Sequence, residues 1–472
     1  MFSTLNKLAV FVVFTFAATL FLDRLIPEGM FFDGLSYASL ARNLSIGKAS
    51  IWQPIYFEPF YEHPPLAWSL QAVFFLVFGD HYYTEKVFCF FVWLLTVYLI
   101  VKVWKVSCSA QELSNYYWLP VLLWTIAPTV IWCYPNNMLE SLMGLFDLLA
   151  VLLIFSFFKS ESIKIWKSLV AGMVLVMALF TKGFVGLFPF ALPLIYWFLL
   201  PEKNLRKAMI AIASLVGITI LSIVILYQYS PCQRYFDYYL NTQLWASLSG
   251  ERDVVESDLG RLFVIKQLFI ELIPAVSIFV IAMGVLVYKK NHLKLGKVGL
   301  LFILLGFSAS LPLMVSLKLR AFYLVPSIPY FAIGLAHWLA PYLVDLKFRV
   351  NNFSFKLMKV GYLLSVAVSF FFLVNKVGTV GRDADLIGDL KEMKGLIQLG
   401  SRASICPDSP QSWATKAYAQ RYLQLVFDKR GDNSLFVFDR KHCADYQLIE
   451  LKNEGWMPIS SRGQRFIFLK RK

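Results

Sequence analysis

The stretch 31-FFDGLSYASLARNLSIGKASIWQPIYFEPFYEHPP-65 decides how this chain is read. It carries Asp33 and the quartet Glu62-His63-Pro64-Pro65, and it lies between two apolar runs, Leu8 to Leu22 and Leu66 to Phe78. A polar island between greasy runs belongs at a water boundary. The double proline stiffens the backbone and fixes where Glu62 and His63 point. Leu35 to Leu44 has apolar and polar residues at helical spacing, which predicts a short amphipathic helix lying on a membrane. Leu66 to Phe78 is too short to cross a bilayer, which takes about 20 residues. A second interfacial helix is expected there.

Outward from this stretch the chain becomes more apolar still. Of 472 residues, 58% are hydrophobic and 16% charged, and the mean hydropathy is +0.61. A soluble chain carries roughly 25% charged residues. After the Leu8–Leu22 run, read as an uncleaved anchor, further spans are expected near 85–104, 116–134, 138–158, 168–180, 184–200, 208–229, 266–288, 298–316, 322–343 and 358–375. With the anchor these make about 11 transmembrane helices, and the fold class is an all-α polytopic membrane protein. Phe, Tyr and Trp gather near the ends of the runs, as interfacial belts require.

The net charge of +15 is explained by topology rather than by nucleic acid, which is not an expected partner. Lys102, Lys105, Lys159, Lys164, Lys167, Arg206, Lys207 and Lys289 fall in alternate connections, which the positive-inside rule places in the cytoplasm. The same charges favour anionic membrane lipids. The N-terminus is then cytoplasmic and, with an odd number of spans, the C-terminus lies outside. The expected division is a transmembrane domain over 1–378, with 27–83 as its first outer loop, and a small extracytoplasmic α/β domain over 379–472. In the latter, strands are expected at Leu435–Phe438, Tyr446–Leu451 and Arg465–Leu469, and a helix at Trp413–Val426. Cys89, Cys108 and Cys133 fall in or beside spans and read as buried small hydrophobes. Cys232, Cys406 and Cys443 fall outside, where a Cys406–Cys443 disulfide is compatible with the compartment. The outer connection Ser230–Leu262 is long enough to fold over a site.

Charged residues at a membrane boundary are costly unless paired, exposed or functional. Asp33, Glu62, His63, Glu140, Lys182, Lys318 and Arg320 all fall at outer ends. Each has a plain reading. Asp33 and Glu140 suit helix N-termini, Lys182 suits an interfacial snorkel, and His63 suits a polar loop. Lys318 and Arg320 fit less well as flanking charges, because they oppose the positive-inside bias. As a set the residues make chemistry. Carboxylates would activate an acceptor hydroxyl, and three cations would hold a phosphate as negative charge develops on it. Glu62 and His63 would also suit a divalent metal, although two adjacent ligands make a poor site.

At these residues the chain resembles the GT-C superfamily of polyprenyl-phosphate-sugar-dependent glycosyltransferases. It is most similar to the branch that holds aminoarabinose transferases and protein O-mannosyltransferases, glycosyltransferase family 39-like. The resemblance runs over roughly residues 8–340. It rests on Asp33 after the first span, on Glu62-His63-Pro64-Pro65 with a following helix that ends at Phe78-Gly79, on the turn Thr181-Lys182-Gly183, and on Lys318, Arg320, Tyr323, Pro326 and Pro329. It implies a polyprenyl-phosphate-linked sugar donor, a lipid, glycan or protein acceptor, and an active site on the outer face of the cytoplasmic membrane. It also implies inversion at the anomeric carbon, and a place in modifying the cell envelope, lipid A or proteins. By the resemblance Asp33 is the base and Glu140 a second acidic position. Lys182, Lys318 and Arg320 contact the donor phosphate, with Tyr323 in support. The chain departs from the family at Gly34, where a second acid is common, and at His63, where aminoarabinose transferases tend to have Lys. Glu62 and His63 are therefore the expected acceptor-specificity or metal position.

Two other classes are open to such a chain. A flippase or transporter of lipid-linked sugars would carry its charges at mid-span, on broken helices and in paired repeats. A non-catalytic envelope assembly subunit would be indifferent to Asp33 and Lys182.

Overall fold

The computed structural model describes residues 2–56, 58–201, 204–246, 259–288, 295–316, 319–345, 352–406, 412–427, 433–441, 443–460 and 463–471. The chain divides into two compact units. One comprises Met1–Leu25, Glu62–Leu66 and Cys89–Lys376, and the other Ile26–Tyr61, Ala67–Phe88 and Val377–Lys472.

The first unit is a helical bundle. Its helices are α1 (Phe2–Leu25), α4 (Thr84–Ser107, shared with the second unit), α5 (Trp118–Thr125), α6 (Pro128–Cys133), α7 (Leu139–Lys159), α8 (Ile165–Lys182), α9 (Leu192–Leu199), α10 (Leu205–Tyr227), α11 (Ser230–Tyr238), α12 (Phe263–Tyr288), α13 (Lys297–Ser310), α14 (Ile328–Asp345) and α15 (Asn352–Asn375). Among the described residues nine helices are long and apolar enough to cross a membrane. The span expected at 116–134 is broken instead. Pro128 opens α6, and α5 and α6 meet at 77°. The span expected at 184–200 is a shorter apolar stretch, 3-10 helical over Phe184–Ala191 around Pro189 before α9 begins. Both departures lie at prolines, which remove a helical donor and crowd the preceding turn.

Burial separates the centre of the bundle from its rim. The most apolar windows of α7 and of Ala321–Val344, the turn that leads into α14 together with that helix, are 78% buried, whereas that of α15 is not buried at all. Phe198, Phe269, Ile281, Phe370 and Phe371 are exposed, as a surface facing lipid tails would have them. Small residues let the central helices approach closely. A Cβ on Gly144 of α7 would stand 3.3 Å from Pro326 Cα, and one on Gly334 of α14 would stand 2.9 Å from the carbonyl of Gly299 in α13.

The second unit holds α2 (Phe32–Ser45), α3 (Leu66–Phe78), α16 (Ala384–Met393), α17 (Ser412–Leu423), α18 (Asp445–Asn453) and a five-stranded sheet. The sheet order is β2-β1-β3-β5-β4. Strand β1 (Arg402–Ile405) runs parallel to β2 (Val426–Phe427) and to the central β3 (Leu435–Asp439). Strand β5 (Phe466–Arg471) is antiparallel to β3 and to β4 (Trp456–Pro458). A Cys406–Cys443 disulfide, with Cα atoms 5.8 Å apart, lies in the core with Phe438, Trp456 and Leu469.

Two sequence expectations change here. Tyr446–Leu451 is not a strand but the body of α18. Leu448 and Leu451, three apart, both pack on the Phe438–Trp456 cluster, and Gln447 Oε1 accepts from the Ala444 amide at 3.1 Å to start the helix. The helix α2 exists, but it has no wet face. Every residue from Gly34 to Asn43 is buried, including Ser36, Ser39 and Arg42. Its polar positions point at protein partners, so the amphipathic pattern marks an interior polar seam rather than a membrane surface. The helix expected at 66–78 forms as α3, with Val73, Leu76 and Val77 exposed.

Candidate functional site

In the bundle unit the site is built at the ends of three elements. Asn137, with φ 54°, turns the chain in the left-handed region, and Met138 then leads into α7. Glu140 falls in its first turn, where a helix favours negative charge. Helix α8 ends at Lys182, because Gly183 has φ 99° and breaks it. The Lys182 ammonium pairs with Glu140 Oε1, and the pair is enclosed, with the Glu140 side chain 1% and the Lys182 side chain 11% exposed. The ammonium lies 4.7 Å from the centre of the Tyr323 ring and 5.7 Å from that of Phe322. Both rings belong to the 3-10 turn Ala321–Ser327, whose N-cap is the extended residue Arg320. Arg320 is exposed.

The structure therefore brings together Glu140, Lys182 and Tyr323, with Arg320 three residues before that ring. Lys318 lies outside the described residues. Glu62 and His63 are half-buried ahead of Pro64 and Pro65, just before α3. Among the described residues no group of three or more His, Cys, Asp or Glu side chains is arranged to hold a metal ion.

Asp33 belongs to the second unit. It sits in the first turn of α2, half-buried, one position past Phe32. It is not the N-cap, which is Phe31, but it does lie at the positive end of the helix. Its charge reaches the buried Tyr56. Burial above all pushes the Tyr56 hydroxyl well above the usual tyrosine range, and Asp33 adds to this.

Three residues with a place in this geometry were not singled out from the sequence. Tyr239 begins the π-helical stretch Tyr239–Trp245 that follows α11, inside the expected covering loop. A Cβ at Gly183 would collide with its hydroxyl, so position 183 needs glycine for space as well as for φ. The loop's remainder, 247–258, lies outside the described residues. Glu271 of α12 is buried, and its Oε2 accepts from the Thr129 amide at 2.8 Å and from the Thr129 hydroxyl at 2.7 Å. It caps α6 at the break in the bent span. Asp147 lies in the middle of α7 and is fully buried, and among the described residues neither carboxylate oxygen has a hydrogen-bond partner. A carboxylate within an apolar run is the signal that exposes both acids in the sequence.

The arrangement is that of a bundle whose described residues include nine helices long and apolar enough to cross a membrane, together with a small unit that carries a five-stranded sheet. The chain is similar over its length to solved structures. Against ArnT from Cupriavidus metallidurans in the apo state the TM-score is 0.68 at 14% identity, over 97% of this chain and 96% of that one. For ArnT from the same organism bound to undecaprenyl phosphate the TM-score is 0.67 at 13% identity, over 97% of each chain. The archaeal oligosaccharyltransferase AglB from Archaeoglobus fulgidus, in complex with an inhibitory peptide and a dolichol-phosphate, gives 0.50 at 10% identity, over 99% of this chain and 74% of that one. No family model matches the chain. No curated protein sequence matches it.

Proposed function

We propose that this chain is an integral-membrane glycosyltransferase. It moves a sugar from a polyprenyl-phosphate-linked donor to a lipid, glycan or protein acceptor on the outer face of the cytoplasmic membrane. The observation that carries this reading is the enclosed Lys182–Glu140 pair under the Tyr323 ring, with Arg320 in the adjoining turn. Cations held at the ends of apolar helices suit a phosphate that arrives on a lipid. The fold shared with ArnT and AglB, solved with undecaprenyl phosphate and with a dolichol-phosphate, supports the donor class.

In the proposed reaction Asp33 takes the proton from the acceptor hydroxyl. The oxygen attacks the anomeric carbon as the bond from that carbon to the phosphate oxygen breaks, so the configuration inverts. The electron pair leaves with the polyprenyl phosphate, and Lys182, Arg320 and Lys318 offset its growing charge. Glu140 orients the Lys182 ammonium. Glu62 and His63 shape acceptor choice or hold a divalent metal. The reading places the N-terminus in the cytoplasm and residues 379–472 outside.

The test is Asp33→Asn in protein reconstituted with a polyprenyl-phosphate sugar. Transfer should be abolished while the protein inserts and keeps its thermal midpoint. Wild-type transfer by this variant would sink the assignment. Lipid that moves between leaflets without any sugar transfer would point to a flippase instead.

A further inference from the structure

The proposed reaction leaves the C-terminal part of the chain without a task. Within its own unit, helix α17 holds α2 near both of its ends. Arg42, in the last turn of α2, has no exposed surface. Its five N–H groups are all used. Nε donates to Asn43 Oδ1 at 2.9 Å, Nη1 to Asp80 Oδ2 at 3.3 Å and the Arg421 carbonyl at 3.4 Å, and Nη2 to the Gln420 carbonyl at 3.0 Å and Gln420 Oε1 at 2.8 Å. Arg421 of α17 completes the set. It donates to Asp80 Oδ1 at 2.6 Å, to both oxygens of Glu85 at 3.1 and 2.9 Å, and to the His81 carbonyl at 2.8 Å. Two cations and two carboxylates make a neutral quartet from segments far apart in sequence, with Arg42, Arg421 and Glu85 buried and Asp80 at its exposed edge.

The other end of α2 is fixed too. The Tyr418 hydroxyl of α17 lies 3.0 Å from the Met30 carbonyl. The Glu28 amide donates to the Thr379 carbonyl at 2.8 Å, and the Gly381 amide donates back to the Glu28 carbonyl at 2.8 Å. The backbone that leads into Asp33 is thus bound to the C-terminal segment on one side, and the last turn of α2 on the other.

We infer that α17 is a positioning element for Asp33, with Arg421, Gln420 and Tyr418 holding α2 in the pose its first-turn carboxylate needs. This rests on the reading of Asp33 as the base. A buried guanidinium is a costly way merely to attach a domain, since desolvation opposes it and only full hydrogen bonding offsets that. Its geometric demands do fix the helix in one register.

The experiment uses the full chain in vesicles, with Asp80→Asn and Arg421→Gln. Amide hydrogen exchange is read over 32–45 and over α7, alongside steady-state transfer. Exchange should speed up in α2 while α7 keeps its protection. kcat per folded molecule should fall about 10- to 100-fold, because small misplacements of a reacting group cost that much, with KM for the lipid donor unchanged. Arg421→Lys should recover part of the loss. A merely structural role would lower the amount of folded protein and leave kcat per folded molecule alone. Unchanged α2 protection, or a loosened α2 with full kcat, overturns the inference. If either variant does not fold, Tyr418→Phe, which removes one hydroxyl, is expected to show the same pattern more weakly, and wild-type exchange and kcat in it would overturn the inference. Asp33→Asn is assayed in parallel. Its retained activity would remove the base reading, and the exchange data would still decide whether α17 pins α2.

Discussion

Replacing Lys182 with Met separates a structural ion pair from a catalytic cation. The Glu140 side chain is 1% exposed, and Lys182 is its ion-pair partner. Glu140 Oε2 already lacks a hydrogen-bond partner among the described residues. Lys182→Met leaves a buried carboxylate with nothing to offset it, which costs about 3–5 kcal/mol. The double variant Lys182→Met/Glu140→Gln buries no charge, and its remaining cost is about 1–2 kcal/mol for an imperfectly bonded amide. Thermal or denaturant unfolding in detergent should therefore show the double variant more stable than the single one. Activity should behave differently. If the ammonium holds the departing phosphate, its loss costs about 100- to 1,000-fold in kcat, and removing the Glu140 charge does not restore it. The assay is transfer per folded molecule for wild type, both single variants and the double. A double variant that regains stability and full transfer together would refute the catalytic reading and leave Lys182 a structural partner.

Asp147 gives the opposite expectation. Its carboxylate is buried without a hydrogen-bond partner among the described residues, so Asp147→Leu should leave stability unchanged or raise it by about 1–3 kcal/mol, read as a thermal midpoint. Lost transfer at undiminished stability would instead give Asp147 a working role. Gly183→Ala meets both a positive φ and the Tyr239 hydroxyl. It should cost about 1–3 kcal/mol and lower transfer by shifting Lys182, and a silent substitution would contradict the close approach. Asp80 sets a pH limit. Burial would push its carboxyl up, but the Arg421 and Arg42 guanidiniums outweigh this and hold it below the usual carboxylate range. Its stabilising effect is therefore complete above the unfolded-chain value of about 3.9 and is lost as pH falls through the lower folded value. Hydrogen exchange in α2 should speed up only in that acid range for wild type, and Asp80→Asn should show fast exchange already at neutral pH.

The order of spans was legible because length and hydropathy are local properties. Glu140, Lys182 and Tyr323 could be singled out because each falls at the end of an apolar run, although the sequence did not say that Glu140 pairs with Lys182. The break at Pro128 was less legible. A proline inside an apolar run signals a kink, but the 77° bend needs Glu271, 142 residues on, to accept from the buried Thr129 amide in the first turn of α6. Tyr446–Leu451 went astray because six residues of mixed polarity fit period 2 and period 3.6 alike, and only the packing of Leu448 with Leu451 decides.

The misreading of α2 is the instructive one. Its apolar and polar positions do alternate as an amphipathic helix would, and a periodicity cannot say whether the polar face meets water or protein. What distinguishes the two is whether each buried donor finds an acceptor. Arg42 finds acceptors on Gln420 and Arg421, 378 and 379 residues away. Burial, and then the like charge of Arg421, brings its pKa down to about 10, still far above neutrality, so the guanidinium remains charged and keeps Asp80 bound. Compensation then separates two kinds of paired charge in this chain. Arg42, Arg421, Asp80 and Glu85 cancel as a set, and every change to one member should be felt at the others as non-additivity in a double-mutant cycle. Lys182 and Glu140 also cancel, but under two aromatic rings whose turn begins at the exposed Arg320, where an arriving phosphate would compete for the ammonium. The second pair should therefore respond to the lipid donor and the first set should not. Donor-dependent hydrogen exchange at 139–142 with none at 418–423 is the expected signature, and the reverse pattern would exchange their roles.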